Sequence, residues 1–229
     1  MAKSSTSDDS KLYQFLQERN DPGVFPEGKE SLDYWNEVAD RYDNNYNGGI
    51  SFKHITIGAR EFDKHLMMKD VPKNAKIADI GSGTGLIGQK LKEEYHYSNM
   101  TAFDISPAML EKAKEKSCYN DFVISDLHTD ELVEYHQQFD HAISIACFVL
   151  GIIKPQALET VARLVKSGGL VTLSFREKNY DNELTGYRQK VEKMEKAGVW
   201  KQISIVLDEY MCLDPDNAVR GYYVTLQVC

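Results

Sequence analysis

The run Ile77-Ala78-Asp79-Ile80-Gly81-Ser82-Gly83-Thr84-Gly85 constrains this chain more than any other segment. Apolar β-formers lead into a carboxylate and then into three alternating glycines, the pattern of a buried strand that ends in a sharp turn. Without Cβ atoms the backbone of that turn can approach a ligand closely, and the helix expected from Leu86 aims its positive N-terminus at the same place. A second strand pattern ends at Asp104, after Met100-Thr101-Ala102-Phe103, where a carboxylate can accept hydrogen bonds from two vicinal hydroxyls. The arrangement predicts a nucleotide-binding loop.

Two cofactor classes use such a loop, dinucleotides and S-adenosylmethionine. Gly83-Thr84-Gly85-Leu86-Ile87-Gly88 also satisfies the dinucleotide pattern GxGxxG, a weak signal by itself. In that register Gly83 should open the turn, yet Gly81 already breaks the strand, and Gly88 falls inside the helix. The Asp-x-Gly-x-Gly-x-Gly register fits better and suits a ligand with no pyrophosphate, whose amino-acid tail Asp79 and the loop amides would address.

From Lys76 on, strand and helix patterns alternate: strands 76–80, 99–103, 121–124, 139–146 and 170–175, with helices 84–96, 107–116, 130–137 and 155–166 between them. The helix 155–166 carries Ala157, Leu158, Val161, Ala162, Leu164 and Val165 on its inner side. Such alternation predicts a parallel sheet with helices on both faces. The tail departs from simple winding, with a helix near 183–197, a strand near 201–209, the turn Asp214-Pro215-Asp216-Asn217 and a last strand 221–228. Upstream, an amphipathic piece at 11–20 is followed by helices at 31–43 and 52–68, expected to cover the ligand-binding edge. Residues 1–30 read as a tail and possible lid, together with 44–49, and residues 31–229 as one domain.

The chain has a net charge of −8 and lacks long Lys/Arg clusters, which argues against nucleic acid as a partner. No apolar run spans a bilayer and the first residues lack an apolar signal core, so a soluble, cytoplasmic protein without membrane contact is expected. The four cysteines show no CxxC and read as reduced thiols. His128 and His136 flank acidic residues, but a solvated helix face accounts for them better than a metal site, and no metal is expected. The oligomeric state is not legible.

Tyr34-Trp35-Asn36-Glu37-Val38-Ala39-Asp40-Arg41-Tyr42-Asp43, the loop 79–85, Ala102-Phe103-Asp104-Ile105-Ser106-Pro107-Ala108-Met109-Leu110 and Lys166-Ser167-Gly168-Gly169-Leu170 resemble a class I S-adenosylmethionine-dependent methyltransferase over about residues 31–229. Within that superfamily the chain is most similar to the methyltransferase-like subgroup of the Williams-Beuren syndrome region, through Gly168-Gly169-Leu170-Val171, Arg176 and Glu195-Lys196-Ala197-Gly198-Val199-Trp200. The resemblance implies a seven-stranded Rossmann-like sheet in the order 3-2-1-4-5-7-6, with an antiparallel last strand and an N-terminal helical cap.

It also implies site roles. Gly81, Ser82 and Gly83 would contact the methionine moiety, with Asp79 orienting the loop or reaching the ammonium, and Tyr42 nearby. Asp104 would hold the ribose, Ile105 and Met109 the adenine faces, and Asp126 the adenine amino group beside Leu127. Ile145 and Ala146 would offer carbonyls to the ammonium. Blander readings stand beside these, Met109 as helix core and Asp126 as a helix cap.

The acceptor, a small molecule with its reacting N, O or S atom unassigned, would sit among Trp35, Tyr42, Tyr46, His54, Phe148, Arg176 and Tyr180. His54 is the candidate general base, with an ordinary surface histidine as its alternative. Arg176 would hold a carboxylate or pair with a nearby acid. A non-catalytic cofactor-binding scaffold and an NAD-dependent oxidoreductase are the competing functions.

Overall fold

The computed structural model describes residues 29–47, 53–129, 132–148, 153–212 and 218–229. Two helices lead, α1 (Lys29–Asn47) and α2 (Lys53–Met67), followed by the alternating core: β1 (Ile77–Ile80), α3 (Leu86–Glu93), β2 (Met100–Asp104), α4 (Pro107–Glu115), β3 (Asp121–Ile124), β4 (His141–Ser144), α5 (Ala157–Leu164) and β5 (Leu170–Arg176). A short α6 (Glu177–Tyr180) and α7 (Tyr187–Lys196) precede the long hairpin β6 (Trp200–Cys212) and β7 (Ala218–Val228). One seven-stranded sheet forms in the order β3-β2-β1-β4-β5-β7-β6. β7 runs antiparallel to both neighbours, while β1 to β5 pair in parallel. The expected architecture is the one observed.

The strand period of two divides the core between the sheet's faces. Ile77, Met100, Ile143 and Tyr223 join Phe62, Leu66 and Leu91 on one side. Ala78, Phe103, Ala142, Val171 and Phe175 join Leu158, Val161, Tyr187 and Trp200 on the other. All six residues expected on the inner side of α5 are buried.

Three local expectations fail for identifiable reasons. In place of a helix at 130–137, the described part holds a single 3₁₀ turn, Val133–Tyr135, because Leu132 before it takes a left-handed backbone (φ 49) that no α-helix continues. The helix at 183–197 is two pieces, separated by Gly186 at φ 74, with Asn182 Oδ1 accepting from Leu184 N at 3.0 Å to cap the first. The third concerns α2, which touches the cleft only at its first turn, through His54 and Ile55, and is otherwise no cap. It packs on β5, β6, β7 and α3 and buries Ile55, Ile57, Phe62 and Leu66, so it belongs to a helical layer of the sheet. The expected pieces at 11–20 and 44–49 lie outside the described residues or have side chains that do. Cys118 and Cys147 are buried free thiols and Cys229 an exposed one.

The helix α1 does cover the site. It lies on α4, where Val38 and Ala39 pack with Met109. Asn36 Oδ1 accepts from Ser106 Oγ at 2.7 Å. Asp43 accepts from Thr84 Oγ1 and from Lys116 Nζ, each at 2.5 Å, and so ties the helix to the glycine loop. Removing a charged acceptor that serves two donors costs about 1–3 kcal/mol. Asp43→Ala should therefore speed amide exchange across 29–47 while the strand amides stay protected, measured by hydrogen exchange; equal rates in both proteins would refute the clasp.

Candidate active site

The turn after β1 folds on itself. Gly81 N and Ser82 N both donate to the Phe103 carbonyl, at 2.8 and 3.0 Å, and Gly85 N donates to the Ser82 carbonyl at 2.9 Å. Gly83 N donates to Asp104 Oδ2 at 2.8 Å, and Ser106 N donates to Asp104 Oδ1 at 2.9 Å. These loop amides, expected to reach a ligand tail, are spent within the protein. Gly81, at φ 68, is required twice over, since a Cβ there would lie 2.1 Å from Cys147 Sγ in the turn after β4.

Around this turn opens a cleft, open to solvent and lined from several strand ends and both leading helices. Asp79, Gly81, Ser82, Gly83 and Thr84 form its base, and Asp104, Ile105 and Met109 follow from β2 and α4. Ser125, Asp126, Leu127 and His128 come from the turn after β3, and Ile145, Ala146 and Cys147 from that after β4. Trp35 and Tyr42 of α1 and His54 of α2 close the remaining side.

Asp79 is buried and accepts from Tyr119 Oη at 2.5 Å. Burial raises its pKa to about 7, against the lowering effect of the Tyr119 bond and with a further push from Asp104. Asp104 is also raised by burial, in opposition to the backbone bonds it accepts. Asp126 does not cap a helix. Its Oδ1 accepts from His128 N at 2.9 Å and from His128 Nδ1 at 3.1 Å, while His128 Nε2 accepts from Lys154 N at 2.8 Å, which fixes the tautomer.

Far from being a surface residue, His54 is 3% exposed and stacks on Tyr210 with ring centroids 4.7 Å apart. Its Nδ1 lies 2.9 Å from the Tyr210 carbonyl, and since a carbonyl only accepts, Nδ1 carries the proton and Nε2 the lone pair. Burial first, with help from Arg176, lowers the imidazole to about pKa 4, so it is neutral at working pH.

Three of the residues expected around an acceptor are placed elsewhere. Phe148 and Tyr180 are core residues, Phe148 tilted against Phe175 and edge-on to Tyr187, and Tyr180 against Phe175 with ring centroids 4.8 Å apart. Each strand-end aromatic satisfies the second hydrophobic layer before it can reach the cleft. Arg176 is buried behind the wall, over the Tyr210 ring, and Glu177 meets Arg220 instead. The Tyr46 side chain lies outside the described residues. Sequence reasoning missed Ser125, Cys147 and Tyr119. The first two were adjacent to quoted motifs, whereas Tyr119 carries no local signal.

Two hydroxyls in the cleft, Ser82 Oγ and Ser125 Oγ, are buried without a hydrogen-bond partner among the described residues. Buried polar atoms of this kind call for a ligand or water. Ser82 lies in the turn after β1 and Ser125 in the turn after β3. Together with two carboxylates and a turn whose amides are already used, the lining fits S-adenosylmethionine. No group of three His, Cys, Asp or Glu that could hold a metal occurs among the described residues, and no helix there is long and apolar enough to cross a membrane.

Comparisons with known proteins agree with this geometry. Residues 77–169 match a family model described as a methyltransferase domain. The chain is 32% identical over 127 residues to malonyl-[acyl-carrier protein] O-methyltransferase of Anoxybacillus flavithermus, covering 53% of this chain and 47% of that protein. It is 35% identical over 122 residues to ribosomal RNA small subunit methyltransferase G of Mycoplasma capricolum, covering 52% and 51%. The chain thus spans about half the length of these relatives. A TehB-like SAM-dependent methyltransferase from Corynebacterium glutamicum shares the fold, with a TM-score of 0.59 at 20% identity over 86% of this chain and 99% of that one. These matches are with proteins named as methyltransferases and agree with the fold described above. They overturn the exclusion of nucleic acid, because one relative is named for ribosomal RNA; an acidic net charge describes the whole surface and not the mouth of one cleft.

The Asp79 carboxyl gives a pH-dependent prediction. In the unfolded chain it ionises near 3.8, while the fold keeps its proton to about 7, so its contribution to stability declines as pH rises between those values. Asp79→Asn should gain stability over the parent protein across that window, by a few kcal/mol at most at pH 7.5 and by little at pH 4.5, in urea titrations. His54 and His141, both lowered by burial to about 4, act with the opposite sign in both proteins and cancel from the difference.

Proposed function

We propose that this chain transfers the methyl group of S-adenosylmethionine to an acceptor that enters beside Trp35, Tyr42 and His54. The observation that carries the reading is the inward use of the N–H groups of Gly81, Ser82, Gly83 and Gly85. A pyrophosphate is held by such groups, and here the cleft offers carboxylates in their place, which suit a ligand with an ammonium and a sulfonium. This disfavours the dinucleotide alternative. The resemblance to the Williams-Beuren subgroup belongs to the same reading and rests on the segments quoted for it.

The cofactor supplies an activated methyl on a good leaving group. What the chain must supply is alignment in a dry space. Asp104 would hold the ribose hydroxyls, with its carboxylate set by Gly83 N and Ser106 N. Leu127, Ile105 and Met109 would bracket the base beside Asp126. Asp79 would face the ammonium. Trp35 and Tyr42 present aromatic faces, which favour cationic groups. His54, neutral and with its lone pair on Nε2, would accept a hydrogen bond from the acceptor; at a pKa of about 4 it is a weak base, so an acceptor that needs no deprotonation suits the site best.

The acceptor classes to test include those borne in the relatives' names. Turnover of labelled cofactor should be measured against a metabolite extract, malonyl-acyl carrier protein and ribosomal RNA. Label transfer to one of them supports catalysis; tight cofactor binding with no transfer to any favours a scaffold. Asp104→Ala should remain folded and lose at least about tenfold in affinity for S-adenosylhomocysteine, as expected for a charged acceptor serving two hydroxyls. Calorimetry checks this, and unchanged affinity in the folded variant would remove Asp104 from the ribose.

A further inference from the structure

We propose that Tyr119 is a positioning residue for the ammonium end of the cofactor, acting through Asp79, and that Gly88 is a glycine in order to seat it. The inference rests on the methyltransferase reading above and deepens it. Tyr119 lies between α4 and β3, and its hydroxyl donates to Asp79 Oδ2 at 2.5 Å. The same hydroxyl accepts from Gly88 N at 3.2 Å. Gly88 N–H, Tyr119 O–H and the Asp79 carboxylate thus form a relay in which each bond polarises the next, running from the first turn of α3 to a cleft-lining carboxylate.

The ring needs room at one point. A Cβ on Gly88 would stand 2.2 Å from Tyr119 Cζ and 2.3 Å from its Oη. The third glycine of the GxGxxG pattern, out of place in a helix on propensity, is therefore explained by a tyrosine packed across it and not by a pyrophosphate.

The relay matters because the other groups around Asp79 oppose its charge. Burial contributes most and Asp104 adds to it from the end of β2, while the nearby thiols of Cys118 and Cys147 are themselves kept protonated, chiefly by burial. Tyr119 is the neighbour that favours the ionised form. With the carboxyl balanced near neutrality, binding of a cationic tail strengthens as pH rises through about 7 and weakens below it. Removing the tyrosine hydroxyl moves that transition to higher pH.

Calorimetric titration of wild type and Tyr119→Phe between pH 6 and 8 tests this with two probes. S-adenosylhomocysteine carries the amino-acid tail and 5′-methylthioadenosine lacks it. Tyr119→Phe should weaken S-adenosylhomocysteine roughly five- to tenfold at pH 7, shift its pH profile upward, and leave methylthioadenosine unchanged. Gly88→Ala, which favours helix yet displaces the ring, should reproduce the same tail-specific loss and carries the test if Tyr119→Phe does not fold. An unmoved pH profile, or equal loss for both probes, overturns the proposal while wild-type binding stands. If wild type binds neither nucleoside, the cofactor reading fails and the proposal with it.

Discussion

The glycine turn after β1 satisfies its own hydrogen bonds, and the site follows from that constraint. A turn that left its N–H groups pointing outward would be an anion cradle. By giving two of them to the Phe103 carbonyl and one to Asp104, the chain draws β1 and β2 together at their ends and leaves carboxylates facing the cleft. The cost is a backbone at Gly81 that tolerates no side chain, because the parallel pairing of β1 with β4 brings Cys147 against it. Parallel strand ends, one closed turn and one close approach together define the cleft.

The electrostatics of the cleft are consistent with a cationic ligand. Asp79 is buried with a half-buried Asp104 beside it, and the Asp104 charge adds to the cost of ionising Asp79. Such an arrangement is unfavourable in an empty protein and is offset when a cation arrives. On the His54 side a buried Arg176 lies over the Tyr210 ring and the histidine is held neutral beside it.

The N-terminal helices divide their labour by hydrophobicity. α2 buries ten of its residues and serves as a layer of the sheet, bringing His54 with it. α1 packs Val38 and Ala39 on Met109, with Tyr34, Trp35 and Tyr42 partly buried beside them, and is fastened further by polar bonds at Asn36 and Asp43. A helix whose apolar contact is a small satellite cluster opens more readily than one embedded in the main core.

The sequence by itself determined the sheet, its winding and the residues that gather around the glycine turn. These depend on local pattern: period-two strands, proline- and glycine-bounded helices, and a carboxylate at a strand end, all within a few residues of one another. It also sufficed to place Trp35 and Tyr42 at the cleft. Only the tertiary structure decided what surrounds them. Phe148 and Tyr180 looked like cleft residues because they follow strand ends, yet packing against Phe175 and Tyr187 claims them for the core. His54 allowed a surface reading because no partner for it stands nearby in sequence, yet Tyr210 of β6 stacks on its ring and buries it. Tyr119 was invisible, since its partners Asp79 and Gly88 are 40 and 31 residues away in sequence and adjacent only once the fold is closed. Side-chain charge states and long-range partners are set by burial, which a linear pattern does not encode.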